Sequence, residues 1–229
     1  MRTPTPASLV VCGLLLVALP VTAQEAHPPA QGAEPGSGRP WYAGITVAAV
    51  SRPATSEYHY STLLGGTTPA VIASAGVRVL PFVTAGGELA VCGALSRVVE
   101  FNHFLHFSDV VSLREVMTSV FVGFPLVAGR VTVEPLFAFG VAFASTRFSQ
   151  HVDYRGGSSV PDERYGDVYP LWGPGINLVV RSGPRVSING FARIYSVRRN
   201  QDIASVGYFD GVSNRTFMAG AGIRFALGR

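Results

Sequence analysis

Long runs of alternating residues, bulky on one face and small on the other, constrain this chain more than any other feature. From residue 41 onward eight windows of ten or more residues carry a period of two. In 131–146, Val133, Phe137, Phe139, Val141 and Phe143 share one face, and Glu134, Ala138, Gly140, Ala142 and Ala144 share the other. The window 168–180 sets Trp172, Ile176, Leu178 and Val180 against Gly173, Gly175 and Asn177. The last, 215–227, sets Phe217, Ala219, Ala221, Ile223 and Phe225 against Met218, Gly220, Gly222 and Arg224. The others are 41–50, 70–80, 87–98, 110–124 and 185–198. In 87–98, Leu89, Val91 and Leu95 oppose Glu88, Ala90, Cys92 and Ser96.

The bulky face carries no formal charge in mid-strand, whereas the small face carries a few. A soluble sandwich or lipocalin needs bulk inside and charge outside. A narrow barrel in lipid needs the reverse. Composition agrees: 14% of residues are charged, against ~25% in soluble domains, and mean hydropathy is +0.31. No window beyond residue 41 approaches a membrane helix, so a membrane-spanning chain of this kind must cross as closed strands. The connections alternate in length. Those at 51–69, 100–109, 148–167 and 199–214 are long, and those at 81–86, 125–130 and 182–184 are short and contain Pro or Gly. Outer-membrane barrels put short turns in the periplasm and long loops outside. The expected fold is all-β: an eight-stranded antiparallel up-and-down transmembrane β-barrel over 41–229, with both termini periplasmic.

The first 23 residues have the layout of a secretory signal peptide. Arg2 supplies the positive charge, 8–20 the apolar stretch and Val21-Thr22-Ala23 the small-residue end, with cleavage before Gln24. The apolar core is too short to span a membrane as a helix. Residues 24–40, rich in Pro, Gly and Ala, read as a disordered periplasmic tail. Cys92 is then the one cysteine of the mature chain, which excludes an internal disulfide. All 18 basic residues are Arg and the net charge is +4. They form no basic stripe, which argues against nucleic acid as a partner.

Two segments, VEPLFAFGVAFASTRF (Val133–Phe148) and NRTFMAGAGIRFALGR (Asn214–Arg229), resemble strands of the small eight-stranded outer-membrane barrels. These are the superfamily of the outer-membrane protein A transmembrane domain and the opacity-type surface proteins. The resemblance covers about 41–229. It implies a bacterial outer-membrane location, lipid and lipopolysaccharide as surroundings, and the barrel-assembly machinery as a partner in biogenesis. The chain departs from that pattern at its last residue, which in the family is aromatic; here Phe225 is followed by Ala-Leu-Gly-Arg. No peptidoglycan-binding domain follows, so the resemblance implies no cell-wall tether.

No catalytic constellation, metal site or cofactor site is expected. His59, His103, His106 and His151 fall in the long connections, and no G-x-S-x-G elbow is present. His103-x-x-His106 sits among aromatics and reads as an interfacial loop. Two sets of charges stand out. Arg52, Arg97, Arg114, Arg147, Arg198, Arg199 and Arg215 fall at outer strand ends. They either end strands there or form a collar for lipopolysaccharide phosphates, which guanidinium groups bind bidentately. Arg78, Glu88, Glu115, Glu134, Arg193 and Arg224 face the lumen by parity. The expectation is two ion-pair layers, Arg78 and Arg224 with Glu88 and Glu134 below, and Arg193 with Glu115 above. These would plug the lumen of a non-enzymatic barrel with a structural or surface-interaction role, presenting four outer loops. The alternatives are a narrow channel for small solutes and a lipid A-modifying enzyme.

Overall fold

The computed structural model describes residues 41–53, 65–102, 106–153, 158–159, 163–197 and 214–227. The expected signal peptide and tail lie outside these residues, as do Arg198 and Arg199. Eleven strand segments form one antiparallel sheet. They are β1 (Trp41–Arg52), β2 (Gly66–Leu80), β3 (Val83–Cys92), β4 (Leu95–Asn102), β5 (His106–Gly123), β6 (Leu126–Ala128), β7 (Val131–Asp153), β8 (Ser158–Ser159), β9 (Glu163–Arg181), β10 (Val186–Val197) and β11 (Arg215–Leu227). They make eight staves, because β4 continues the line of β3, β6 extends β5, and β8 lies against upper β7. β1 pairs with both β2 and β11, and β5 pairs with both β3 and β7, so the ring closes on itself.

The register fixes the shape. Trp41 pairs with Val77, Val77 with Ala85, Ala85 with Val122, Val122 with Phe137 and Phe137 with Pro174. Pro174 faces Ile194 within the constant β9–β10 register. Ile194 then pairs with Phe217, and Phe217 with Ser51, ten residues along β1 from the start. Eight strands with that stagger tilt by about 43° and enclose a radius of about 8 Å, a width that side chains fill.

Alternation assigns the faces. Outward positions such as Val47, Leu89, Val120, Phe137, Phe139, Phe143, Ile188 and Ile223 are exposed. From Val133 to Phe143, ten residues at this tilt rise about 24 Å, the height of an outer-membrane apolar band. Trp41, Phe82, Phe124 and Phe225 are exposed near the short-turn end and form an aromatic girdle there. The core lies inside the lumen: Met117, Phe121, Leu136, Leu171, Phe191 and Met218 are buried there, among small residues such as Ala138 and Ala142. An exterior this apolar, closed on itself, belongs in a membrane. The chain is an eight-stranded transmembrane β-barrel.

Two expectations need correction. The stretches read as loops at 100–109 and 148–167 are largely strand. β5 stays paired with β7 as far as His106 and Asp153, and β4 pairs back on β5 to Asn102. Above the apolar band the strands lack a bulky face, so alternation loses contrast there while the ladder continues. Leu95 and Ser96 also exchange faces. Four residues separate Val91 from Leu95, but only three separate their partners Val116 and Leu113. The extra residue is a β-bulge at Gly93-Ala94, where Gly93 N–H donates to Pro69 C=O at 2.7 Å. Beyond it Leu95 packs against the core and Ser96 is exposed.

Candidate functional site: the charged lumen and an outer arginine notch

The upper lumen holds an ion pair, Arg52 with Glu115, that differs from the expected pairing. Arg52 follows Thr46, Ala48 and Val50 in parity, points inward and is 2% exposed. Its Nε donates to Glu115 Oε2 at 2.7 Å, a second guanidinium nitrogen lies 2.6 Å from the same oxygen, and a third donates to Thr68 Oγ1 at 3.2 Å. Arg52 is therefore not a surface lipopolysaccharide contact. Glu115 takes Arg52 as its partner and not Arg193.

Arg193 holds the middle of the lumen and reaches Glu88 instead. One guanidinium nitrogen donates to Glu88 Oε1 at 2.6 Å and to Asn177 Oδ1 at 2.7 Å. The other donates to the carbonyls of Ile176 and Ala192, each at 3.0 Å. The guanidinium also stacks 5.1 Å from the Phe191 ring centre. Tyr195 Oη donates to Glu88 Oε2 at 3.4 Å. Arg193 has room because Gly175 stands opposite: a Cβ there would collide with the Arg193 stem.

Below it, Glu134 is 2% exposed. It accepts from the Thr84 hydroxyl, and from Asn177 Nδ2 at 2.6 Å. Arg224 lies 3.6 Å from Glu134 Oε2 and 4.2 Å from the Tyr42 ring centre. Asn177 thus accepts from Arg193 and donates to Glu134, tying the middle and lower charges into one network. Arg78 is half-buried beside this network and, among the described residues, has no ion-pair partner.

The sequence reading placed Asn177 on the inner face without giving it a role. Its complete burial, at 0% exposure, marks it as a connector, since a buried amide needs partners for both ends. Polar parity was the available signal.

The remaining upper arginines separate. Arg114 and Arg147 are exposed on the outward face, where they line a notch of about 340 Å³ with Ser96, Ser112 and Ser149. Ser112 is the direct partner of both Ser96 and Arg147, so the notch spans β4, β5 and β7 on adjacent staves. Arg164, not singled out from the sequence, faces Arg147 across the β7–β9 ladder and is exposed. Arg215 is exposed at the start of β11. The side chain of Arg97 lies outside the described residues. His106 and His151 lie on strands, on β5 and β7, and not in loops.

No family model matches the chain, and no curated protein sequence matches it. Several solved structures are similar. Neisserial surface protein A has a TM-score of 0.45 and 15% identity, over 82% of this chain and 97% of that one. Ail, the attachment invasion locus protein of Yersinia pestis, has a TM-score of 0.47 and 11% identity, over 81% and 98%. OprG, an outer-membrane protein of Pseudomonas aeruginosa, has a TM-score of 0.46 and 8% identity, over 82% and 96%. The barrel assignment stands on the closed register and the apolar exterior of this chain itself.

Proposed function

We propose that the protein is a non-enzymatic, non-conducting stave of the outer membrane. It displays its long connections outside and anchors lipopolysaccharide on one side of the barrel. The observation that carries the first part is the ladder of lumen charges, Arg52 with Glu115, Arg193 with Glu88, and Arg224 with Glu134, packed among Met117, Phe121 and Phe191. A lumen about 8 Å in radius, crossed at three levels by paired side chains, leaves no wide aqueous path. Proteoliposomes carrying the folded protein are expected to swell in small sugars no faster than empty ones. Swelling at porin-like rates would favour the narrow channel instead.

The outer notch supports the second part. Arg114 and Arg147 stand just above the apolar band with three serine hydroxyls between them, and Arg164 is adjacent. Planar guanidinium forks and hydroxyl donors at that height suit the phosphates of lipid A. Replacing Arg114, Arg147 and Arg164 with Gln is expected to lower copurified lipopolysaccharide severalfold while leaving a heat-modifiable gel shift intact. Unchanged lipopolysaccharide would reduce these residues to strand-end charges.

A further inference from the structure

Among the described residues, the short-turn end of the lumen carries an arginine excess that Glu134 alone faces. A cavity of about 180 Å³ opens there, lined by Arg78, Arg130, Arg181, Arg224, Ser187 and Glu134. Four of these side chains follow one another along a single hydrogen-bonded rung. Arg181 N–H donates to Arg130 C=O at 2.8 Å, Arg181 pairs with Ser187, and Ser187 pairs with Arg224. Arg130, in the turn before β7, and Arg181, at the end of β9, are exposed and line the rim of the cavity. Arg78 enters from β2 on the far wall.

The charges do not balance. Glu134 is the one acid in the lining, and it already serves Arg224, Thr84 and Asn177. Arg78, Arg130 and Arg181 have no ion-pair partner among the described residues. Arg130 and Arg181 sit directly opposite each other, an arrangement that like charges make unfavourable. An arginine cannot relieve it by losing its proton. Arg224 Nε and Tyr42 Oη are, in addition, buried with no protein hydrogen-bond partner. Four guanidinium groups that converge on a cavity with a single acid between them are arranged for an anion. The cavity is smaller than the ~300 Å³ and upward of drug-sized sites, and its donors are forks that match tetrahedral oxyanions.

We infer that this vestibule, on the periplasmic side, binds a phosphate group, presented by an inner-leaflet phospholipid or by a soluble phosphate ester. The exposed girdle residues Trp41 and Phe225 also line the cavity, which puts a lipid headgroup within its reach. The site is separate from the outer notch and independent of whether the lumen above it conducts.

The test uses full-length folded protein in a maltoside detergent, in an Arg114→Gln/Arg147→Gln background that removes the outer notch. Inorganic phosphate, glycerol 3-phosphate and dihexanoyl phosphatidylglycerol are titrated at constant ionic strength by calorimetry. Saturable phosphate binding is expected, weakened tenfold or more by Arg130→Gln/Arg181→Gln. The same double change is expected to raise the unfolding temperature in phosphate-free, low-salt buffer, because it relieves the repulsion. A lipid source predicts that the phosphatidylglycerol binds at least tenfold tighter than glycerol 3-phosphate, with the same dependence on Arg130 and Arg181. A soluble source predicts no such gain. Absence of saturable binding by all three probes overturns the inference. So does binding that persists unchanged in the double variant while its gel shift shows a folded barrel; Arg78→Gln, with a lone substitution on another stave, repeats the test should the double variant not fold.

Discussion

The two ends of the lumen hold charge in opposite ways. At the outer end Arg52 and Glu115 meet at 2.6 Å, with side chains 1% and 0% exposed, and Arg52 also donates to Thr68. At the short-turn end Arg224 stands 3.6 Å from Glu134 with 11% of its side chain exposed, and three further arginines surround a cavity. A dry ion pair gains little from change. A wet, unbalanced rim keeps interaction capacity in reserve. In the proposed reading the same residue type serves closure above and recognition below, and what separates the two is desolvation.

The largest effect is expected where burial is most complete. Glu115→Ala leaves Arg52 charged and dry, at a cost of about 3–5 kcal/mol, read from unfolding in urea with the barrel in detergent. Replacing both, Arg52→Met with Glu115→Leu, is expected to recover most of that loss, because neither charge is then stranded. A double variant as unstable as the single one would mean that the pair does more than cancel itself.

Next comes the middle of the lumen. Gly175→Val drives a side chain into the space of the Arg193 stem and is expected to cost about 1–3 kcal/mol through overpacking. Because Asn177 couples the levels, Asn177→Leu is expected to loosen Arg193 and Glu134 together. Its effect and that of Glu88→Ala should then fail to add, which a double-mutant cycle measures.

The smallest effect is expected at the lower end. Arg224→Ala leaves Glu134 its Thr84 and Asn177 donors and should cost about 1–2 kcal/mol. Should Arg224→Ala match Glu115→Ala, the contrast between the two ends would disappear.

Much of this was legible in the sequence, and the misses have physical causes. The strands, their faces and the inward direction of Glu88, Glu134, Arg193 and Arg224 follow from period-two alternation, which a barrel wall enforces residue by residue. Arg52 stands at a strand end, the usual place of a surface charge, and only its parity with Thr46, Ala48 and Val50 signals that it turns inward. Pairing Arg193 with Glu115 came from counting height along each strand. In a sheet staggered by ten residues, side chains at equal counts are not neighbours across the lumen, and Arg193 meets Glu88 instead. Arg130 and Arg181 border turns, where alternation is short and easily passed over. The bulge at Gly93-Ala94 has no periodic signal at all. It is visible only when two registers are compared.

Closure of the lumen is the central claim, and conductance tests it most directly. Wild-type protein reconstituted in a planar bilayer is predicted to give no stable channel activity, and Arg52→Ala/Glu115→Ala/Arg193→Ala/Glu88→Ala, which removes the upper and middle pairs, is predicted to give small, defined openings. Frequent, stable single-channel events from the wild-type protein would contradict the account.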